Sequence, residues 1–409
     1  MSFTNIIWGL FGVLVICGIA YLFSNNRKKV HFRLILSALA FEIVFAWFVL
    51  STGIGQTILQ QITDVVNAII NYGEEGIDFV FGGLYTEESG ISFVVAFNVL
   101  PMIIFFASLV AIAYYLKIMP LIFKYVGGLF SKLFRSSKRE SVVASANIFL
   151  GQTESPLVVK PHLHKMTVSE VFSVMTCGLA SVAGTMLASY ALLGVELQYL
   201  LPATFMAAPS GLIIAKLFHP EVEEVHENKE IEITNDDDAS NIIDAASKGA
   251  GNGLQIALIV GATLVAFVAL IYMVNGFIGY LGGLVGVDTT IQEILGYIIS
   301  PLAFAIGIPW DQAVAAASLI GEKLVLTEFI AFTNFMDSAK QFSDKSAMII
   351  TFALCGFANF SSMATMANTL STINPKRQGL FMKLSLKSLF AGALASMLSA
   401  TIAGMFFMS

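Results

Sequence analysis

The chain alternates long apolar runs with short polar joints. A helix needs roughly 20 apolar residues to cross a bilayer. Eight runs approach that length: Ile6–Phe23, Phe32–Leu50, Phe93–Leu116, Val171–Leu193, Ala203–Leu217, Leu254–Val274, Ala347–Met366 and Leu389–Phe407. No small-residue cleavage site closely follows the first, so it reads as a retained span rather than a removed signal peptide. Thr57–Asn71 shows helical spacing instead, with Ile58, Leu59, Ile62, Val65, Val66, Ile69 and Ile70 on one face. Gln60, Gln61, Thr63, Asp64 and Asn67 take the other, which predicts a helix lying in the membrane plane. Pro120–Arg139 mixes Phe and Leu with Lys and Arg in the same manner.

Two more apolar segments are interrupted by residues that lipid would not tolerate. Ser141–Val159 contains Gly151-Gln152-Thr153-Glu154-Ser155-Pro156, and Ile291–Phe335 contains Lys323-Leu324-Val325-Leu326-Thr327-Glu328-Phe329. Each Thr-Glu precedes a second shared signature: Cys177-Gly178-Leu179-Ala180-Ser181, then Cys355-Gly356-Phe357-Ala358-Asn359. The Thr-to-Cys offset is 24 in the first copy and 28 in the second, which marks a structural repeat. Broken backbone at membrane depth survives only where protein or a polar cavity satisfies it. The pattern therefore predicts an all-α membrane protein of eight spans, with re-entrant hairpins at about 140–166 and 291–335 around a polar cavity.

Composition agrees with a lipid environment. Charged residues make up 12% of the chain, about half the usual share in a soluble domain. Cys17, Cys177 and Cys355 sit inside apolar runs without the spacing of a disulfide or metal framework. The histidines are dispersed, and His162 and His164 would point to different helix faces, so no metal cluster is expected. Gly249–Gly253 lacks the Lys-Ser/Thr of a phosphate loop and reads as helix entry or close packing. The net charge of −6 comes largely from the acidic loop His219–Asp244, a solvated linker, and nothing suggests nucleic-acid binding.

Basic residues set the orientation. They cluster at Arg27–Arg33, Lys117–Arg139 and Lys376–Lys387, and none lies between Arg33 and Lys117. Positive charge marks the cytoplasmic side. Eight spans put all three clusters there and both termini outside, and the two broken segments then enter from opposite faces. Inverted repeats with broken helices characterise secondary transporters, whose substrate site lies near the midplane.

At Gly151-Gln152-Thr153-Glu154, at Glu328-Phe329 and at Gly356–Ser362 the chain resembles the concentrative nucleoside transporter family in its short, eight-span bacterial form. The resemblance covers nearly the whole chain. It implies a homotrimer in the bacterial cytoplasmic membrane, importing nucleosides such as uridine by an elevator-like movement and using Na⁺ as coupling ion without a cofactor. Residues 1–52, 91–125 and 251–284 would supply scaffold helices and 53–90 interfacial ones; 219–250 would be a cytoplasmic loop with an interfacial helix. Residues 126–218 and 285–409 would form the two repeats of the transport domain. On matching positions, Gly151, Gln152, Thr153 and Glu154 would face the nucleobase, and Met186 would line its pocket. Glu328, Asn359 and Ser362 would hold the ribose, with Phe357 packing nearby. Asn147, Ser181 and the carbonyls of Leu150 and Val182 match the family's sodium site. Two positions depart from the pattern: Thr327 replaces the usual Asn before Glu-Phe, and Glu322 adds a carboxylate.

These residue types suit the task. A Gln amide both donates to and accepts from a base edge, and a carboxylate accepts from both hydroxyls of a ribose diol. Sodium is a hard cation that takes oxygen ligands, as the hard divalent ions do. Glu154 and Glu328 are costly at membrane depth, and their matched places in two repeats favour function; Glu42, in the second run, has no such partner. Asn147 and Ser181 taken alone would read as glue between helices. Proton coupling through Glu154 or Glu328 is the near alternative. A membrane-embedded hydrolase would need a nucleophile–base pair or metal cluster, which the histidine-free hairpin cores do not supply. A passive channel sits poorly with duplicated hairpins.

Overall fold

A computed structural model describes residues 3–84, 94–224, 239–284, 286 and 289–408. Most of the acidic loop lies outside the described residues, as do Glu87 and Glu88. Among the described residues there are helices and no strand. Among the described residues seven helical stretches are long and apolar enough to span a bilayer, one of them, Val168–Leu192, containing a break.

The first third holds α1 (Phe3–Leu22), α2 (Phe32–Ser51), α3 (Gly53–Phe81), one-turn α4 (Val95–Asn98), α5 (Leu100–Tyr115) and α6 (Ile118–Phe134). The amphipathic stretch Thr57–Asn71 is the middle of α3, which Thr52 caps by accepting from the Gly55 amide. Amphipathic α6 exposes Leu121, Tyr125, Leu129 and Leu133 and buries Phe123, Gly127, Phe130 and Phe134. It is set off at both ends by left-handed residues, Lys117 and Arg135.

Repeat 1 runs through α7 (Lys138–Ala146), a 3-10 stretch Ser155–Lys165, α8 (Val168–Ala180), α9 (Gly184–Leu192) and α10 (Leu197–Phe218). The long α11 (Ile242–Gly283) leads to repeat 2: α12 (Ile291–Ala305), α13 (Trp310–Val325), α14 (Glu328–Ser338), α15 (Asp344–Leu354), α16 (Phe360–Ile373) and α17 (Gln378–Met405). Two expected spans are broken. The run Val171–Leu193 divides between α8 and α9 at Ser181–Ala183, and Ala347–Met366 divides between α15 and α16 at Cys355–Asn359. The first break follows its Cys-Gly by two residues and the second begins at its Cys-Gly, so that signature marks where each helix opens. The second hairpin is also shorter than its sequence pattern. Helices α12 and α13 bend by 118° at a turn where Gly307 takes φ +111°, and α13 and α14 meet at the tip Leu326–Thr327.

Packing separates an interior from a rim. Helices α10 and α17 are buried nearly throughout, whereas α11 is almost wholly exposed. Helix α5 pairs closely with α11, because Cβ atoms at Gly249 and Gly253 would lie 2.7 Å from the Ala107 carbonyl oxygen and the Ile104 Cα. Helices α1 and α2 pack instead on α10 and α17. The glycine-rich entry to α11 is thus a close-packing face.

Candidate substrate and ion site

The base of hairpin 1 is held by charges. Ser137 and Glu140 form a reciprocal capping box at the start of α7, and Thr167 and Glu170 form another at the start of α8. Lys216 of α10 pairs with Glu140 at 2.7 Å, and Arg139 with Glu170 at 3.5 Å, all four buried. These ions anchor α7 to α8 and α10.

The far end of α7 leads to the tip. Helix α7 stops at Asn147, whose Nδ2 donates to the Val143 carbonyl while Oδ1 is buried without a partner. Gly151 donates its amide to Glu154 Oε2 at 3.3 Å, closing the tip on its own carboxylate. Gln152 is 9% exposed and its Oε1 has no partner; Ser155 Oγ has none either. The break after α8 lies against the tip, with the Gly184 amide donating to the Phe149 carbonyl at 2.9 Å. Ser181, at that break, has a buried Oγ without a partner, and Leu150 and Val182 are buried beside these residues in sequence. Two orphaned buried oxygens, at Asn147 and Ser181, on segments that touch, fit a hard cation that would supply the missing partner.

The two breaks cross each other. The Phe357 amide donates to the Ser181 carbonyl at 3.0 Å. A Cβ at Gly356 would stand 2.5 Å from the Ala180 carbonyl oxygen, and one at Gly178 would stand 2.2 Å from the Met366 terminal methyl. Gly356 therefore lets backbone meet backbone at the centre of the repeat pair, while Gly178 makes room for the Met366 side chain.

The tip of hairpin 2 is fully engaged. Thr327, in place of the family's Asn, caps α14 by accepting from the Ile330 amide at 3.4 Å, so the hydroxyl serves where an amide was expected. Glu328 opens α14 in the favourable field of a helix N-terminus. Its Oε2 accepts from Asn359 Nδ2 at 3.0 Å and its Oε1 from the Tyr190 hydroxyl at 2.9 Å. Asn359 in turn caps α16, its Oδ1 accepting from the Ser362 amide at 2.7 Å, which fixes the orientation of its side chain. Glu322 is occupied away from this cluster, accepting from Asn334 at 2.7 Å.

The fold therefore brings Glu328, Asn359 and Ser362 into one chain of hydrogen bonds, and joins Phe357 to the break at Ser181. Gly151–Glu154 form one tip, and Gln152 lies against Gly178 of α8. Met186 is buried on α9. Tyr190 was not among the expected residues, although it stands four positions after Met186 and so on the same helical face. Its fully buried ring packs on Phe329 and Phe332, which aims its hydroxyl at Glu328. A cavity of about 450 Å³ runs past the tip of hairpin 1, lined by Leu150, Glu154 and Thr185 on one side and by Tyr114, Lys248 and Asn252 of the outer helices on the other.

Three family models follow one another along the chain: the Na⁺ dependent nucleoside transporter N-terminus over residues 11–84, nucleoside recognition over 96–196, and the Na⁺ dependent nucleoside transporter C-terminus over 199–404. The chain belongs to the Na⁺ dependent nucleoside transporter family. A transporter of Bacillus subtilis, YutK, is 50% identical over 98% of this chain and 100% of its own. The nucleoside permease NupC of Helicobacter pylori is 42% identical over 99% of each. Structures of CNTnw, 46% identical, superpose in an inward-facing substrate-bound state at a TM-score of 0.94, covering 98% of each chain, and in an outward-facing state at 0.95, covering 99% of each. The family is one of transporters, which sets the hydrolase reading aside.

Proposed function

We propose that this nucleoside transporter family member is a sodium-coupled symporter that imports nucleosides such as uridine by an elevator-like movement. One observation carries the reading: hairpin 1 and the break it touches leave buried oxygens unsatisfied at Asn147 and Ser181, while hairpin 2 presents Glu328 oriented by Tyr190 and Asn359. Sodium between tip and break would order the segment that carries Gln152, so ion and nucleoside each tighten the other's binding by the same factor. Glu328 would accept from the ribose hydroxyls and Gln152 would read the base edge.

The cavity lies between hairpin 1 and the ends of α5 and α11 nearest the basic cluster at Lys117 and the loop 219–244. With that face cytoplasmic and both termini outside, the cavity is inward-facing, in a bacterial cytoplasmic membrane. The packing favours α5 and α11 as the fixed frame. Helices α1 and α2, seated on α10 and α17, would ride with the moving repeats rather than join the scaffold. Three such frames would assemble as a homotrimer, the remaining exposed apolar faces meeting lipid.

Proton coupling keeps one observation in its favour: half-buried Glu154 accepts from a single amide and has no ion-pair partner among the described residues. Liposomes holding the purified protein decide between the two. Radiolabelled uridine should accumulate under an inward sodium gradient and stop when potassium replaces sodium. Uptake that ignores the cation swap and follows a pH gradient would transfer the coupling to Glu154. No uridine movement under either gradient would overturn the substrate.

A further inference from the structure

Lys323 is the one ammonium group buried in hairpin 2, at 1% exposure. A charge at that depth survives only with dedicated partners. Its Nζ donates to the Ala353 carbonyl at 2.8 Å and to Ser396 Oγ at 3.0 Å. Ala353 lies in the last turn of α15, just before the break, where carbonyls lose their helical donors and the helix dipole is negative. Ser396 belongs to α17. The side chain therefore ties α13 to the opened end of α15 and to the central helix behind it.

Neither partner carries a charge, and among the described residues no carboxylate bonds to Lys323 directly. Glu328 lies five positions on, across the hairpin tip, and bonds to Asn359 on the far side of the same break that Ala353 borders. The titratable groups facing Glu328 are Tyr190 from α9, Lys323 from α13 and Cys355 from the break after α15; Asn359 adds a neutral donor. Lys323 is the only cation among them. Both Glu328 oxygens accept hydrogen bonds, the pattern of an ionised carboxylate, which is acceptor-only. Glu322, next in sequence to Lys323, is turned towards Asn334 and does not compete.

We propose that Lys323 is a positioning residue, a tethered cation that pins the tip of hairpin 2 to the broken helix and keeps Glu328 as the carboxylate that receives the nucleoside. The inverted repeats then solve one problem in two ways. Repeat 1 leaves oxygens open for a cation from solution, and repeat 2 carries its own. The nucleoside part rests on the reading of Glu328 given above; the charge state of Glu328 does not.

Infrared difference spectra of the purified protein, taken without nucleoside, read that charge state directly. Lys323→Met should show a protonated carboxylic C=O band that is missing from wild type, from Lys323→Arg and from the double variant Lys323→Met/Glu328→Gln. Uridine binding to Lys323→Met should weaken by about tenfold or more and recover as pH rises, while wild type and Lys323→Arg stay flat over the same range. Should Lys323→Met not fold, Lys323→Gln keeps a donor for Ala353 at zero charge and takes its place. An unchanged spectrum in the neutral variant, or a loss of affinity equal at every pH, overturns the proposal and leaves Lys323 a structural tether. Wild-type protein that binds no uridine would sink the reading of the site, with the spectra still deciding the role of Lys323.

Discussion

The two hairpins share a sequence signature and differ in how their polar groups are satisfied. Hairpin 1 and its neighbouring helix leave Asn147, Gln152, Ser155 and Ser181 with buried oxygens that have no partner in the protein. Among the described residues of 289–408 no buried side-chain oxygen or nitrogen is left in that state. Hairpin 2 is closed internally, through Thr327, Glu328, Tyr190, Asn359 and Lys323. An orphaned polar group in a buried site costs about 1–3 kcal/mol, so the first hairpin carries an unmet demand for partners that the second does not. Duplication supplied the frame, and the division of labour came from which oxygens were left open.

The strongest way to break this comparison is Glu328→Gln. It removes the negative charge and turns one of the two acceptor oxygens into a donor, and charge-assisted hydrogen bonds are worth about 1.5–3 kcal/mol each, so uridine affinity measured by calorimetry should fall about 100-fold or more. An unchanged affinity would remove hairpin 2 from the site. Asn147→Ala strikes the open hairpin instead. Uridine should then bind equally in sodium and potassium, erasing a coupling whose usual size is about 5- to 150-fold. A sodium effect that persists in this variant would place the ion elsewhere.

Tyr190→Phe takes one donor from Glu328 and leaves the ring packing intact. A hydrogen bond to a charged group is worth about 1.5–3 kcal/mol, and a weakening of about tenfold in uridine binding is expected. No change would show that Asn359 suffices to orient the carboxylate. Gly356→Ala tests the crossing of the breaks. Its Cβ meets the Ala180 backbone, which has nowhere to go, and a stability loss of about 1–3 kcal/mol should appear in thermal melts. Gly178→Ala meets the flexible end of Met366 and should cost less. The reverse order would contradict the packing. The smallest effect belongs to Thr327→Asn, which exchanges one good N-cap for another and should alter stability by only a few tenths of a kcal/mol.

Much of this was legible along the chain. Apolar runs, the paired Thr-Glu interruptions and the basic clusters identify a membrane protein with two hairpins, because lipid forbids unsatisfied backbone and charge wherever protein does not cover them. The breaks after α8 and α15 were not legible as breaks. Val171–Leu193 and Ala347–Met366 carry only Ser181 and Asn359 as polar side chains in their opened turns, and hydropathy is blind to the backbone turning where another helix's carbonyl replaces the helical one. The Gly in each Cys-Gly carried that information without saying which surface it would approach. Likewise 291–335 read as one hairpin, since apolar content alone does not distinguish α12, packed beside α13, from the pair α13 and α14.

Composition and pattern determine the solvent, the repeat and the carboxylates, because these depend on what each residue is and how far apart like residues fall. Tertiary structure alone decides that Tyr190 reaches Glu328 across 138 positions and that Lys323 ends on Ala353 and Ser396. It also decides that Asn147 and Ser181 keep free oxygens while Asn359, in the second break, does not. Whether a polar group is satisfied depends on what stands within about 3 Å of it, and that distance is set by helices that meet only once the chain has folded.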